Sequence, residues 1–327
     1  MKEVTKNMLK NNPINKQLII PTLIVGLGGY PKAVLPHLDF LFYQYFGERP
    51  ASVDFVIFDF DEANGEISAT GRRFTTQPYL IVLPKKALKD IARKLRRKDR
   101  NKFIPWIDTL AGYVDLKQVR YVEGPGLNLL MQTANLAWRL VWSEHIVPQL
   151  KARLQNLHPS PQELSRLECK GYSISNRSSI FVIAGGGSTT GPSGLLPILV
   201  ELKRLKPIDS NVFTILFTPG SYRDKTDEHR KRGRAIFRAT VHRLIDLFNG
   251  MEFDQPYGRN GYRLRLEGEP FDHLFLIDGS LGGGRAELNT EQLGKLVARL
   301  LFKLTTSPLG EKFLGHIGNL NRGLKEV

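Results

Sequence analysis

A loop made almost entirely of glycine and hydroxyl residues, AGGGSTTGPSG at residues 184–194, is the segment of this sequence best suited to chemistry. It follows the apolar run SSIFVI, which predicts a buried strand. Glycine lets the backbone approach a ligand closely, and backbone N–H groups together with hydroxyls can donate several hydrogen bonds to one anion. A loop of this kind that opens onto a helix is typical of phosphate binding, although a glycine run alone also marks ordinary turns.

A second glycine turn lies near the start of the chain. VGLGGYPKAVL at residues 25–35 stands between a predicted strand and a predicted helix, and the next predicted strand ends in Asp59-Phe60-Asp61. Because sites on doubly wound sheets lie at the carboxyl ends of the strands, these segments are expected to converge with the loop at 184–194. A dinucleotide-binding Rossmann fold uses only the first turn, so two turns predict a mononucleotide held from two sides.

The elements that must position these loops are apolar runs that alternate with helical patterns. This alternation predicts a doubly wound α/β fold, with a mostly parallel sheet and helices on both faces. The predicted strands cover 18–26, 52–61, 178–185, 211–220 and 271–280, and the predicted helices cover 32–46, 126–157 with a break or kink at Pro148, 191–205, 225–250 and 289–307. Two stretches, 158–179 and 251–270, have the composition of loops or linkers.

Length and composition are those of an ordinary globular protein. The 327 residues, 41% of them hydrophobic and 24% charged, are enough for one large domain or two smaller ones. A single cysteine, Cys169, excludes an internal disulfide framework and a zinc cluster. No apolar stretch reaches the roughly 18 residues that a membrane span needs, and the N-terminus does not resemble a signal peptide, so we expect a cytoplasmic protein.

The net charge of +15, from 47 basic and 32 acidic residues, favours anionic partners. Much of this charge lies in KKALKDIARKLRRKDRNK at residues 85–102, where ten basic side chains accompany two aspartates. One interpretation is a docking surface for a membrane or a nucleic acid. The other is a solvated helix face, since the run lacks the interleaved aromatic residues that stack on bases.

The order of these motifs resembles the tubulin/FtsZ superfamily, and in particular its divergent bacterial tubulin-like branch. Residues 26–35, GLGGYPKAVL, are similar to the opening pattern GLGGTGAKVL of that branch, whose second strand ends in a pair of acids as at Asp59 and Asp61. Gln118-Val119-Arg120, followed by Gly124, resembles its third-strand region. The superfamily signature GGGTGSG is similar to Gly185-Gly186-Gly187, Thr190-Gly191 and Ser193-Gly194, and the segments 218–244 and 271–280 resemble the fifth loop with its helix and the sixth strand.

The resemblance implies that the ligand is GTP or GDP. It places Asp59 or Asp61 near Mg²⁺ or its waters, Arg234 near the ribose or phosphates, and 278–280 near the base. It implies no catalytic residue in this chain, and no residue that reads guanine can be assigned. The full set of implied nucleotide-binding residues is Gly26, Gly28, Gly29, Asp59, Asp61, Gly185, Gly186, Gly187, Ser188, Thr189, Thr190, Gly191, Ser193, Gly194, Arg234 and Ser280.

The implied organisation is an N-terminal extension at 1–17, a tubulin-like nucleotide-binding domain at 18–307 with a central helix at 289–307, and a tail at 308–327. The second domain of polymerising members is then largely absent. Asn319-Leu320-Asn321 is similar to a three-residue N-L-D motif of the superfamily, and this resemblance would put Asn321 at the position of the catalytic acid. We therefore expect weak or no GTP hydrolysis by this chain alone, and no tubulin-type filament unless another protein completes the interface. Besides the guanine nucleotide, the expected partners are a protein partner or further copies of the chain in a homo-oligomer.

The sequence also departs from the family pattern. Pro31 replaces a glycine of the first turn and removes one N–H donor, while Ser188, Thr189 and Pro192 expand the second loop. These departures leave two alternative hypotheses. In the first, the chain is a nucleotide-free scaffold that binds an anionic membrane, a nucleic acid or a partner protein. In the second, it is an NAD-dependent oxidoreductase, but this hypothesis gives the loop at 184–194 no role.

Overall fold

The fold was obtained as a computed structural model. The structure describes residues 17–60, 79–82, 91, 93–94, 112–120, 130–221, 226–257, 261–280, 288–308, 310–313 and 315. Asp61, Gly124 and Asn321 therefore lie outside the described residues, as do most of the basic run at 85–102, residues 1–16 and most of the tail.

The described strands and helices follow one another in the alternating order expected from the sequence. The strands are β1 Gln17–Ile19, β2 Thr22–Leu27, β3 Val53–Asp59, β4 Tyr79–Val82, β5 Tyr172–Ile174, β6 Ser178–Gly185, β7 Ser210–Phe217, β8 Phe253–Pro256, β9 Arg263–Leu266 and β10 His273–Ile277. The helices are α1 Tyr30–Phe46, α2 Met131–Val141, α3 Val147–Gln155, α4 Pro161–Cys169, α5 Thr190–Leu205, α6 Asp227–Phe248 and α7 Thr290–Thr306.

The central sheet has six strands in the order β10-β7-β6-β2-β3-β4, and every neighbouring pair is parallel. From the centre of the sheet, the chain adds β2, β3 and β4 in order toward one edge. It then adds β6, β7 and β10 in order toward the other edge. The chain therefore reverses its winding between β2 and β6, which is the topological switch point of a doubly wound sheet. The predicted fold class is confirmed.

Helices cover both faces of the sheet. Leu23, Val25 and Val182 point to the face that packs against α2, α3 and α5. The alternate positions Ile24 and Ile183 point to the other face, where α1 and α7 pack. Because both side-chain rows of each central strand are buried, the strands appear in the sequence as continuous apolar runs.

Two predicted elements are interrupted at prolines. The strand expected at 18–26 is divided into β1 and β2 around Pro21, which cannot donate a ladder hydrogen bond. The helix expected at 126–157 continues past Pro148, which lies in the first turn of α3. The irregularity is instead a π-helical turn at Trp142–Ile146, directly before α3, where the missing N–H of Pro148 removes the regular bond to the preceding turn.

The two predicted linkers were wrong, since both contain regular structure. Residues 158–179 include α4, whose first turn has a Ser160 cap and Pro161, and the short strand β5, which pairs with β1. Residues 251–270 include β8 and β9, which form an antiparallel pair. In β9 the buried Leu264 alternates with the exposed Arg263 and Arg265, a two-residue period that would have indicated the strand.

The helices of the described regions do not include one with the length and hydropathy needed to cross a membrane.

Candidate functional site

The two glycine turns meet at the switch point of the sheet. β2 and β6 are direct neighbours, with Leu27 opposite Ala184 in the ladder, so the turns that follow them begin side by side. Gly28 has a φ of 81°, a left-handed conformation that favours glycine. A Cβ on Gly28 would lie 3.2 Å from Cβ of Thr190, which means that the first turn is in contact with the second.

Two helices begin at this contact without a side-chain cap. The N-cap of α1 is Gly29, which has no side chain, and the N-cap of α5 is Thr189, whose side chain accepts no hydrogen bond from the first turn of its helix. Elsewhere Ser160, Thr226 and Asn289 cap the helices that follow them. The N-termini of α1 and α5 therefore direct their positive dipole ends toward the same region.

Four backbone N–H groups at these helix starts have no hydrogen-bond partner among the described residues. They belong to Gly29, Gly187, Thr189 and Thr190. Other N–H groups of the same turns are bound within the protein, since Gly28 donates to the carbonyl of Phe58 at 2.9 Å. The arrangement provides a set of converging donors of the kind that binds an anion.

Asp59 connects the two turns to the end of β3. Its side chain is buried, and its Oδ2 lies 2.5 Å from Nζ of Lys32 in the first turn of α1. Its Oδ1 accepts hydrogen bonds from the N–H of Phe60 at 2.7 Å and from Oγ1 of Thr190 at 3.4 Å. Both carboxylate oxygens are therefore occupied by protein donors.

The described residues do not fit Mg²⁺ at Asp59. Magnesium requires oxygen ligands in near-octahedral geometry, and here the ammonium of Lys32 occupies the position beside Oδ2. Within the described ranges, no group of three or more His, Cys, Asp or Glu side chains could hold a metal ion. Asp61, the second predicted ligand, lies outside those ranges.

Several glycines of the predicted site have packing roles. A Cβ on Gly26 would come within 2.5 Å of Cβ of Pro31, so Gly26 lies beneath the start of α1. A Cβ on Gly191 would come within 2.6 Å of the carbonyl oxygen of Gly185, where the second loop folds back on itself. These two positions maintain the shape of the turns.

Helices on the α2, α3 and α5 face cover other parts of the second loop. A Cβ on Gly186 would lie 2.5 Å from the ring of Phe237 in α6, and one on Gly194 would overlap the ring of Trp138 in α2. Ser193 belongs to the same contact, since its Oγ accepts from Nε1 of Trp138 at 3.0 Å. Gly186, Ser193 and Gly194 therefore face the core.

Ser188 remains at the open side of the second loop. It is half-buried, and its Oγ donates to the carbonyl of Gly185 at 2.9 Å. Gly29 is exposed, and a Cβ there would contact nothing within 4 Å. Lys32 also retains partial exposure, with 15% of its side chain accessible. Access to the free N–H groups is therefore from the side of Gly29, Lys32 and Ser188.

Arg234 lies in a basic cavity of about 550 Å³ at the end of β7, together with Gly220, Arg230 and Lys231. Arg230 pairs with Asp227, whereas Lys231 and Arg234 have no carboxylate partner in the described part of the chain. Next to Arg234, Gly233 is in close contact with the carbonyl of Gly187, since a Cβ there would be 2.9 Å from that oxygen. The basic cavity therefore adjoins the second loop.

Ser280 is exposed at the end of β10, and its N–H donates to Oδ1 of Asp278 at 2.9 Å. The same carboxylate contacts the turn after β7, because a Cβ on Gly220 would lie 2.5 Å from Oδ2 of Asp278. Ser280 is thus beside the basic cavity and has no described contact with the glycine turns.

Sequence reasoning missed Lys32 and Tyr30. The signal for Lys32 was its position in the first helical turn after the glycines, next to an acid at the following strand end. Tyr30 donates from its hydroxyl to Oγ of Ser221 at 2.6 Å, and its ring stacks on Phe217 at 4.3 Å. Tyr30 thereby links the first turn to the turn after β7.

Among solved structures, the chain is similar to proteins named CetZ and TubZ. A GTPγS-bound protofilament of CetZ2 from Haloferax volcanii has 14% identity and a TM-score of 0.44, over 88% of this chain and 58% of that chain. GDP-form protofilaments of TubZ from Bacillus thuringiensis serovar israelensis have 10% identity and a TM-score of 0.43, over 94% and 60%. CetZ from Methanosaeta thermophila strain DSM 6194 has 12% identity and a TM-score of 0.38, over 87% and 54%.

CetZ and TubZ are tubulin/FtsZ-family proteins, the family that the sequence motifs resemble. This chain spans less than two thirds of the length of these solved chains. No protein-family profile and no curated protein sequence matches it.

Proposed function

We propose that this chain is a tubulin-like guanine-nucleotide-binding module that takes GTP or GDP at the glycine turns after β2 and β6. The observation that carries the proposal is the group of unpartnered N–H donors on Gly29, Gly187, Thr189 and Thr190, at two uncapped helix N-termini. In open α/β sheets ligands bind at the switch point, and helix N-termini bind phosphate. The choice of guanine rests on the sequence resemblance.

The phosphates would enter on the open side of the turns. Phe237 and Gly233 of α6 cover Gly186 and Gly187 from the core side, which leaves the approach past Gly29 and Ser188. Lys32 lies on this approach and would share its ammonium group between Asp59 and a phosphate oxygen. Such a lysine acts as a point charge for phosphate without a fixed fork geometry.

Hydrolysis by the chain alone is expected to be weak or absent. A general base must have a carboxylate or imidazole free to accept a proton from water. Asp59, the acid of the described turns, is engaged with Lys32, Thr190 and the N–H of Phe60. The chain would then act as a nucleotide-dependent binding or assembly module, with a protein partner or another copy of itself as the other component.

The test is isothermal titration calorimetry with GTP, GDP, ATP and tripolyphosphate, on wild-type protein and on a Gly29→Ala variant. A Cβ at Gly29 would meet no described atom within 4 Å, and the residue has an ordinary helical φ of −75°, so the variant should fold normally. The added methyl group would occupy the phosphate approach, and we expect affinity for GTP to fall at least about tenfold.

The matched control is Gly315→Ala, since Gly315 also has open space at its Cβ and lies outside both turns. It should keep wild-type affinity. Binding of tripolyphosphate without preference for guanosine would retain the phosphate site and overturn the base assignment. Wild-type protein whose melting temperature is unchanged by millimolar GTP or GDP would overturn the whole proposal, because a ligand of the folded state must stabilise it.

A nucleotide-free scaffold is the second candidate, and the packing of α6 favours it. Gly185, Gly186 and Gly187 are all buried, and Phe237 lies directly against Gly186. Such a scaffold would bind an anionic membrane, a nucleic acid or a partner protein through its basic residues, including those of the run at 85–102. Purified protein that contains no nucleotide, is indifferent to added nucleotide and binds anionic vesicles or DNA in a salt-dependent manner would establish this function instead.

A further inference from the structure

A separate cavity of about 410 Å³ lies between α2, α5, α6, β8 and the segment at residues 112–113. Its volume is within the range of sites for small organic ligands. Pro192 and Ser193 contribute to its wall, whereas the residues with free N–H groups, Gly29, Gly187, Thr189 and Thr190, do not. The cavity is therefore distinct from the proposed nucleotide site. The first turn of α5 lies between the two, because Thr189 and Thr190 belong to the nucleotide site and Pro192 and Ser193 to the cavity wall.

The wall of this cavity contains a buried arginine. Arg139 is only 2% exposed, and its guanidinium lies over the ring of Tyr257 at 4.2 Å. It donates from Nη2 to Oε1 of Gln255 at 2.7 Å and from Nη1 to the carbonyl of Asn135 at 3.3 Å. Among the described residues, its Nε has no hydrogen-bond partner and no carboxylate forms an ion pair with it.

A buried guanidinium without a counter-charge is unfavourable, because it has lost most of its solvation and no described carboxylate compensates its charge. Tyr257 and Gln255 are neutral partners and leave the charge uncompensated. A second guanidinium, that of Arg243 in α6, lines the same cavity, and the described lining residues include no aspartate or glutamate. The described part of the cavity wall therefore presents positive charge without a balancing negative charge.

The rest of the described lining consists of amide, hydroxyl and apolar groups, with the hydroxyls coming from Tyr113, Ser193 and Thr240. Gln132, Asn135 and Gln255 contribute amides close to Arg139. Met131, Leu196, Pro197, Ile236, Leu244 and Phe253 contribute apolar surface. A ligand that matches this lining has one anionic end for the guanidinium and an apolar body for the remaining wall.

We propose that this cavity is a binding site for a small organic carboxylate with an apolar body. Arg139 lines the cavity, so the carboxylate would lie beside its guanidinium and neutralise its charge, and Arg243 at the exposed side of the cavity would add a second attraction. Charge-assisted hydrogen bonds between a guanidinium and a carboxylate are among the strongest polar contacts in proteins. A carboxylate is favoured over a phosphate because half of the wall is apolar and only one guanidinium is buried.

The probes are octanoate and benzoate, each compared with its uncharged amide, octanamide or benzamide, and with phenyl phosphate. Calorimetry and ligand-observed NMR on wild-type protein should show that a carboxylate binds at least about tenfold more tightly than its amide, the difference expected for a charge-assisted contact in a buried site. Equal binding of acid and amide, or binding of phenyl phosphate alone, would overturn the carboxylate assignment.

Three variants locate the binding. Arg139→Met removes the charge with a side chain of similar length, and Ala239→Phe fills the cavity from an exposed position while retaining Arg139. Both variants should abolish carboxylate binding. Ala239→Phe keeps the location testable if Arg139→Met proves too unstable to measure. Arg238→Met is the matched control, because Arg238 lies on the same helix as Arg243 and does not line the cavity. Unchanged binding in Ala239→Phe would refute the location.

Discussion

Nζ of Lys32 lies 2.5 Å from Oδ2 of Asp59, and this ion pair joins the first turn of α1 to the end of β3 beneath both glycine turns. Only 15% of the lysine side chain and 5% of the aspartate side chain are exposed, so solvent screens the pair weakly. Lys32 therefore has a structural partner and lies on the open side of the proposed phosphate site. Its structural and ligand-binding roles can be separated by mutation.

Lys32→Gln should destabilise the protein and weaken nucleotide binding. The substitution leaves the buried carboxylate of Asp59 without its cation, a change that costs about 3–5 kcal/mol in other buried ion pairs. The double variant Lys32→Gln/Asp59→Asn removes both charges and should recover most of that stability. Chemical denaturation monitored by circular dichroism measures the free energy of unfolding of each variant.

The double variant should still bind GTP at least about tenfold more weakly than wild type, because a charge-assisted contact to phosphate is lost. Calorimetry on this folded variant separates the two roles of Lys32. Wild-type affinity in the double variant would mean that Lys32 has no contact with the nucleotide and serves the structure alone.

Nucleotide affinity should depend little on magnesium. Lys32 occupies the position beside Oδ2 of Asp59, and Oδ1 already accepts two hydrogen bonds. We expect the dissociation constant for GDP to change by less than about threefold, which is below 1 kcal/mol, between buffers with excess MgCl₂ and with EDTA. A larger loss in EDTA would indicate a metal site that involves residues outside the described ranges, with Asp61 as the first to test.

The sheet and its switch point were predictable because the central strands are buried on both faces. Ile180, Phe181, Val182 and Ile183 follow one another without a polar residue, as expected for a strand of a parallel sheet that is covered on both faces. The meeting of the two glycine turns followed from the same reasoning, since both come directly after strands of a doubly wound sheet. These are local signals combined with a general rule of topology.

The roles of individual residues within the turns were not predictable in this way. Gly28 and Gly194 both lie in glycine-rich segments that follow a strand, and the sequence does not distinguish their roles. In the structure, Gly28 contacts Thr190 of the other turn, whereas Gly194 contacts Trp138 of α2. Which face of a loop is covered depends on helices that are distant along the chain. The same holds for the ion pair between Lys32 and Asp59, which requires the exact rotation of α1.

Stability should decrease as the pH falls, in part through His273. Its ring lies beside Phe213, Phe275 and Phe313, and burial lowers its pKa, although Asp272 opposes this shift. A lowered pKa in the folded state means that the unfolded state binds the proton more readily. The contribution of His273 is thus fully present above its ordinary pKa of about 6.5 and is lost below it.

The measurement is the free energy of unfolding of wild type and His273→Phe between about pH 7.5 and pH 5. The wild-type value should fall more steeply with decreasing pH, whereas phenylalanine keeps the ring contacts and cannot titrate. Parallel pH profiles for the two proteins would show that His273 is protonated equally in the folded and unfolded states.

Gly194→Ala should destabilise the protein even though alanine favours helices. Gly194 lies within α5, where replacement of glycine by alanine contributes about 1 kcal/mol in an exposed position. Here the new methyl group would overlap the buried ring of Trp138, which packs against Phe58 and Trp142 and has little room to move. Overpacking of a core costs about 1–3 kcal/mol, so we expect a net loss of stability in denaturant unfolding. Gly29→Ala, which meets no atom, is the comparison, and a Gly194→Ala protein as stable as Gly29→Ala would show that α5 and α2 are not packed as closely as the structure has them.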